Sequence, residues 1–348
     1  MTNVLEDPTP LQLNYVPEEF QDRENEFSPL KASFAGSEEA PLPNLHVHGP
    51  RGTGKTQVVN SVFNDLPKRV SKAYVPCHRY DTQYKALKQI CKAFSQDVDD
   101  GHHTSELQRR LGEQAEVMKT VVILDEIDFL LLNDGDDLLY FFSRLEHSDN
   151  ISVITISSNT EDLESLIEER TYSSLQPRRI GFEPYTGEEL YQILAERAKK
   201  ALASKSLQRE ALTYIASSTT NVGRGLTWLR YAAKTAETKI TEELVKDVET
   251  SAYQEYVNYL LDDFTEHHYL IYEAVFEASE VGENTVKTGD IYDKYRDLCS
   301  STEEEPLSNR RISDYLKQFE LLDLIQSEYH YGGSKGKTRT IEFQGISK

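Results

Sequence analysis

The residues with the clearest chemical purpose are Gly49-Pro50-Arg51-Gly52-Thr53-Gly54-Lys55-Thr56. Two glycines spaced this way before a lysine and a hydroxyl residue allow backbone N–H groups to curl around phosphates, with Gly52, Thr53 and Gly54 at the turn. Lys55 would neutralise the β and γ phosphates, and the Thr56 hydroxyl would ligate magnesium. About 70 residues later, Val121-Val122-Ile123-Leu124 runs into Asp125-Glu126. Asp125 would hold magnesium through its shell, and Glu126 would polarise the attacking water. Acidic pairs at strand ends are common in α/β proteins, so this pair takes its meaning from the loop before it. Together the two stretches call for ATP or ADP with Mg2+, and for ATP hydrolysis.

Other polar residues stand where they could serve the same site. Asn159 follows an apolar run and could orient the same water; the competing reading is an ordinary turn asparagine. Arg170 could act as a finger on a neighbouring subunit's γ-phosphate. Arg178 and Arg179 compete for that role, as does a plain surface salt bridge. Arg224, between two glycines at the start of a helical stretch, could close a helical lid on the phosphates.

These groups need elements to hold them. Leu45–His48, Ala73–Val75, Val121–Leu124, Ile151–Ile156 and a shorter Ile180–Phe182 read as strands alternating with helices, the pattern of a parallel sheet covered on both faces. The phosphate loop follows the first strand and precedes a helix, as its chemistry requires. Residues 1–14 read as a loose arm and Tyr15–Phe34 as a helix with Pro17 in its first turn. After Pro184-Tyr185 the strands stop. Thr186–Leu202, Leu207–Ser217, Gly225–Thr238 and Thr241–Leu261 read as helices, the first opened by a Thr186/Glu189 capping box. From Glu266 on, Tyr269–Phe276, Thr288–Leu298 and Ser308–Phe319 are helical, followed by two strands around a Gly-rich turn. Three helices and a β-hairpin make a winged helix. The expected division is 1–184 for the α/β nucleotide domain, 185–263 for an all-helical domain and 264–348 for the winged helix.

The charge balance bears on partners. The 348 residues carry a formal charge of −21, against the basic footprint of most nucleic-acid binders. A carboxylate-rich surface suits high salt, where attraction to phosphates is screened to within about 3 Å, so a halophilic source is expected. The segment from Pro306 departs from this balance: Arg310, Arg311, Lys317, Lys335, Lys337, Arg339 and Lys348 outnumber five carboxylates. Asn309, Arg310, Arg311 and Ser313 would face bases or phosphates from the start of the third helix, and Lys335, Lys337 and Arg339 from the wing. No apolar run approaches the roughly 20 residues that span a bilayer, and no secretory signal stands at the N-terminus, so a cytoplasmic, nucleoid-associated protein without a membrane partner is expected. Cys77, Cys91 and Cys299 form no Cys-x-x-Cys pair, which argues against structural zinc.

In order and spacing, the phosphate loop, Asp125-Glu126, Asn159, Arg170 and Arg224 resemble the Walker A, Walker B, sensor 1, arginine-finger and sensor 2 elements of AAA+ ATPases. Tyr15–Phe20, Tyr74-Val75-Pro76-Cys77 with Thr82–Leu87, and Arg170–Leu175 followed by Phe182–Thr186 are similar to archaeal replication initiators related to the origin recognition complex and its cell-division-cycle partner. The resemblance covers nearly the whole chain. It implies an AAA+ α/β domain, a helical lid and a winged helix. Tyr15, Val16 and Tyr185 would lie at the nucleotide, and the helical segment between about residues 82 and 112 would touch DNA. The implied function is an ATP-dependent replication initiator with slow, regulatory hydrolysis. It would bind double-stranded origin DNA, help recruit the replicative helicase and meet other initiator subunits. Pro76 and the glycines beside Arg224 depart from the family pattern, which leaves room for an auxiliary or plasmid-borne copy. The alternatives are a DNA-binding regulator that uses nucleotide only structurally, and a signalling ATPase whose winged helix docks protein.

Overall fold

The computed structural model describes residues 4–17, 20–34, 41–94, 98, 101–145, 148–159, 162–281, 285–302, 304–330 and 338–343. They fall into two compact units, Asn14–Glu189 and Met1–Leu13 with Leu190–Lys348.

The first unit is built on a parallel sheet of β1 (Leu45–His48), β2 (Ser71–Pro76), β3 (Thr120–Asp125), β4 (Ile151–Ser157) and β5 (Arg178–Gly181), in the order β2-β3-β4-β1-β5. Every residue of β3 and β4 is buried, because helices cover both faces and neither face has a polar side to show. The alternation still sorts the side chains. Val121, Ile123, Ile154 and Ile156 join Val47, Val58 and Val62 in one core, while Val122, Leu124, Ile151 and Val153 join Leu87, Ile90, Leu107 and Leu111 in the other. Pairing of His48 with Ser157 and of Asp125 with Ile156 brings the C-terminal ends of β1, β3 and β4 to one edge. That edge is where open α/β sheets bind ligands.

Eight helices accompany this sheet among the described residues: α1 (Glu24–Ser33), α2 (Lys55–Asp65), α3 (Gln83–Ala93), α4 (Thr104–Val117), α5 (Ile127–Asp134), α6 (Asp137–Arg144), α7 (Leu163–Leu166) and α8 (Glu169–Leu175). The helix expected over Tyr15–Phe34 is only its second half. Tyr15–Pro17 is not helical, and α1 begins at Glu24, with Glu24 and Glu26 in the first turn where negative charge suits the helix dipole.

The second unit holds α9 (Gly187–Ala201), α10 (Arg209–Ser218), α11 (Val222–Thr235), α12 (Glu242–Asp247) and α13 (Glu249–Leu261). The capping box at the start of α9 forms: the Thr186 N–H donates to the Glu189 carboxylate at 2.7 Å and the Glu189 N–H to the Thr186 hydroxyl at 3.3 Å. The single helix read over Thr241–Leu261 is two, divided at Val248, whose φ/ψ of −95°/2° leaves the helical region. The N-terminal segment is not a loose arm. Val4 and Leu11 are buried, Glu6 and Asp7 donate backbone N–H to the Ala201 carbonyl, and Arg197 donates to the Pro10 carbonyl at 3.1 Å. The end of α9 leaves carbonyls without helical donors, and this segment supplies them.

The winged helix follows as α14 (Glu266–Val281), β6 (Thr285–Lys287), α15 (Thr288–Thr302), α16 (Asn309–Leu321), β7 (Ile325–His330) and β8 (Thr338–Phe343), with an antiparallel sheet in the order β6-β8-β7. Three-residue β6 is too short to show an alternation and was not legible in the sequence. Ile312, Tyr315, Leu316 and Phe319 bury one face of α16. No helix among the described residues is long and apolar enough to cross a membrane.

Candidate functional site

The loop between β1 and α2 has the backbone its glycines permit. Gly49, Gly52 and Gly54 have φ of 141°, 76° and 88°. A Cβ on Gly49 would stand 2.1 Å from the Phe182 carbonyl oxygen, so this approach requires glycine. The N-cap of α2 is Gly54, which has no side chain to cap the first turn. Its N–H groups, at the positive end of the helix dipole, are therefore suited to an anion. Lys55 is buried, and its Nζ donates to the Gly49 and Pro50 carbonyls at 2.6 and 2.7 Å, bracing the loop from inside. Burial, then the nearby Arg51 charge, push its ammonium down to about 8. The negative charge of a phosphate chain would offset both effects.

Asp125 stands at the end of β3, facing the start of α2. The Thr56 hydroxyl donates to its carboxylate at 3.0 Å and the Tyr74 hydroxyl at 2.6 Å. Burial, then the adjacent Glu126 charge, raise the Asp125 pKa. A buried carboxylate beside a hydroxyl is a donor set that fits Mg2+, whose charge would relieve that cost. Glu126 turns away in a left-handed conformation, φ 53°. Its Oε1 takes Arg51 Nη2 at 2.7 Å and its Oε2 lies 2.6 Å from His78 Nδ1. Burial disfavours its charge, yet Arg51 and His78 outweigh this and hold the carboxyl down at about 2.

Asn159 lies just beyond β4, and its backbone N–H donates to Ser157 Oγ at 3.0 Å. The turn is held by Asp128, whose carboxylate accepts from Ser157 Oγ at 2.6 Å and from the Ser158 N–H at 2.8 Å. Tyr185 hangs over the phosphate loop, its hydroxyl 3.2 Å from where a Gly54 Cβ would sit. The segment before α1 reaches the loop through Arg23. This buried guanidinium stacks 3.8 Å over the Tyr185 ring and donates to the Thr53 and Glu183 carbonyls at 3.1 and 2.8 Å. Val16, expected at the nucleotide, is 47% exposed, and Tyr15 is half-buried.

In the winged helix, Asn309, Arg310 and Arg311 are exposed on the first turn of α16, and Ser313 is half-buried. Arg339 is a correction. Instead of projecting from the wing it is 8% exposed, donating to Glu320 at 2.6 Å and to Ser327 Oγ at 2.8 Å. Strand alternation turns it inward, where it ties β8 to β7 and α16. Lys335 and Lys337 lie outside the described residues.

Comparison with known proteins agrees with this geometry. Residues 43–166 match the family model described as an AAA domain, and residues 260–345 that of the CDC6 C-terminal winged helix domain. The chain is 29% identical to the ORC1-type DNA replication protein of Thermococcus onnurineus, over 95% of this chain and 86% of the relative. It is equally similar to ORC1-type DNA replication protein 1 of Sulfurisphaera tokodaii, at 29% over 94% and 87%. Among solved structures it matches the Aeropyrum pernix ORC1 protein, determined in complex with DNA, with a TM-score of 0.78, 26% identity and coverage of 99% and 95%. By domain models, relatives and solved structure alike, this chain is similar to archaeal Orc1/Cdc6 AAA+ proteins.

The lysine, threonine and aspartate expected at the nucleotide are brought together, while the expected arginines each have other partners or stand exposed. Arg170 is on the surface of α8, its side chain 58% exposed, bonded to Glu168 at 2.5 Å and stacked 4.6 Å over the Tyr140 ring. Arg178 is exposed on β5, and Arg179 pairs with Asp162 at 2.7 Å. Arg224 belongs to the second unit and finds partners there. Asn221 caps α11 by accepting the Arg224 N–H, while the Arg224 guanidinium donates to the Asp323 carbonyl at 2.8 Å and carboxylate at 3.2 Å, beside the Tyr253 and Tyr256 rings. In this structure it fastens the helical bundle to the turn after α16. The sequence reading also missed Arg23, Arg51, Tyr74, His78 and Asp128. Arg51 sits inside the phosphate loop and Asp128 two residues beyond Glu126, so their closeness to the motifs was the available signal; the others are brought in by the fold.

Proposed function

We propose that this chain is an ATP-dependent DNA replication initiator that binds double-stranded origin DNA and uses nucleotide as its switch. The observation that carries the reading is one chain, similar to ORC1-type replication proteins over 95% of its length, that joins a phosphate loop with a Thr56–Asp125 pair to a winged helix exposing Asn309, Arg310 and Arg311. The amides of Gly52 to Thr56 and Lys55 would hold the phosphates of ATP or ADP. Thr56 and Asp125 would hold Mg2+, which supplies charge neutralisation at the phosphates. Glu126 would take the proton of the attacking water, and Asn159 would orient that water. Tyr15, Val16 and Tyr185 would border the base, and exposed Arg170 suits a finger offered to another initiator subunit.

The first turn of α16 would enter a groove with its arginines on bases or phosphates, and the wing would add phosphate contacts. Recruitment of the replicative helicase is the remaining part of this proposal. Two measurements test it. Glu126→Gln is expected to keep ATP binding while abolishing turnover; hydrolysis at the wild-type rate would remove Glu126 from this role. Mapping the protein along its own chromosome should show enrichment at short inverted repeats near its gene, and absence from every origin would refute the initiator reading.

A further inference from the structure

The phosphate loop carries a cation that the chemistry of phosphate binding does not require. Arg51 lies between the loop's glycines, its side chain 13% exposed, and it points at Glu126. Both carboxylate oxygens of Glu126 are engaged, Oε1 by Arg51 at 2.7 Å and Oε2 by His78 at 2.6 Å. Neither contact involves Asp125, whose own carboxylate is turned to Thr56 and Tyr74. Two adjacent acids thus have separate partner sets, one facing the metal position and one tied back to the loop.

We propose that Arg51 is a restraining residue: from within the phosphate loop it holds the Glu126 carboxylate out of service until the guanidinium is drawn to another anion. This rests on the hydrolytic reading of Glu126 given above. A base accepts a water proton through an oxygen free to reach that water, and here one oxygen is bonded to a guanidinium and the other lies against an imidazole nitrogen. The competing anion is the phosphate chain of the nucleotide. A guanidinium binds phosphate as readily as carboxylate, in the same forked geometry, and Arg51 is carried by the segment that wraps the phosphates. Binding would move the Arg51 contact from Glu126 to phosphate without moving the backbone of either residue far. The loop would then report occupancy directly to the base.

In equilibrium binding of a fluorescent ATP analogue, Glu126→Gln is expected to raise affinity by roughly three- to tenfold, the scale of one charge-assisted hydrogen bond, because the guanidinium no longer has to leave a carboxylate. Arg51→Ala should bind the analogue more weakly than wild type. Arg51→Lys keeps the charge but loses the fork, and is expected to lie between Ala and wild type in affinity. The same gain from Glu126→Gln in the Arg51→Ala background would overturn the proposal, since the gain would not pass through Arg51. So would an unchanged affinity for Glu126→Gln.

A readout independent of turnover is the thermal unfolding of Arg51→Ala, Glu126→Gln and the double variant. The restraint predicts non-additive shifts, and additive shifts would refute the pair itself. Should wild type and Glu126→Gln hydrolyse ATP equally, the hydrolytic reading fails, while this cycle still decides whether the two residues are coupled.

Discussion

Arg339 was expected on DNA and is found in the interior of the winged helix, and the two roles respond oppositely to mutation. The perturbation of choice is Glu320→Ala, which leaves the Arg339 guanidinium without the carboxylate 2.6 Å away while Ser327 Oγ remains at 2.8 Å. Breaking a fully buried ion pair by removing one partner costs about 3–5 kcal/mol. Here the Arg339 side chain is 8% exposed but Glu320 is 31% exposed, so water can reach the vacated side. That discounts the cost to about 2–3 kcal/mol. For a unit of this size the thermal midpoint should fall by roughly 5–10 °C. Arg339→Met should cost less, about 1–2 kcal/mol, because Glu320 can then turn to solvent.

The assay is chemical and thermal unfolding of both variants beside fluorescence-anisotropy binding to duplex DNA across a salt series. The buried-pair account expects both variants to lose stability, with the salt dependence of DNA binding unchanged. It is refuted if Arg339→Met unfolds like wild type yet binds DNA with a salt slope reduced by about one. Under that outcome Glu320→Ala would tighten binding instead of destabilising the fold.

Two further outcomes follow from the geometry. Gly49→Ala is expected to lose nucleotide binding and at least about 2 kcal/mol of stability, because its Cβ would overlap the Phe182 carbonyl at a φ of 141°; wild-type binding and unfolding curves would contradict this. His268, buried between the Thr265 N–H and Gln318, has its pKa lowered by burial to about 4, so its neutral form belongs to the folded state. The unfolded chain takes up this proton first as pH falls below about 6.5, and stability should therefore drop between about pH 6.5 and 4, by up to about 1.4 kcal/mol per pH unit from this group. Urea midpoints at pH 7 and 5 check this. His46 in the other unit, lowered by burial to about 3, adds a loss of the same sign, so His268→Gln should remove only part of the slope.

Local chemistry was legible in the sequence where a short stretch had to satisfy strict backbone or periodic demands. Gly49 cannot carry a Cβ, the positive φ values at Gly52 and Gly54 favour glycine, and the apolar runs of β3 and β4 announce a sheet buried on both faces. Thr186 and Glu189 announced the start of α9, and the spacing of Ile312, Tyr315, Leu316 and Phe319 the buried face of α16.

Side chains that find partners far along the chain were not legible. Arg23 reaches Thr53 and Glu183, Arg224 reaches Asp323, and Arg339 reaches Glu320; long cations like these choose among several carbonyls and carboxylates that only folding brings near. The N-terminal segment looked like a loose arm because its anchors, the free carbonyls at the end of α9, lie almost 200 residues away. The sequence by itself therefore determined that this protein has a phosphate cradle, a magnesium-fitting pair and a winged helix, since each is set by residues close together or at a regular period. Tertiary structure alone decided how the charges are shared: Arg51 on Glu126, Arg224 on Asp323 and Arg339 withdrawn from the surface, because ion pairing depends on distances that no linear spacing encodes.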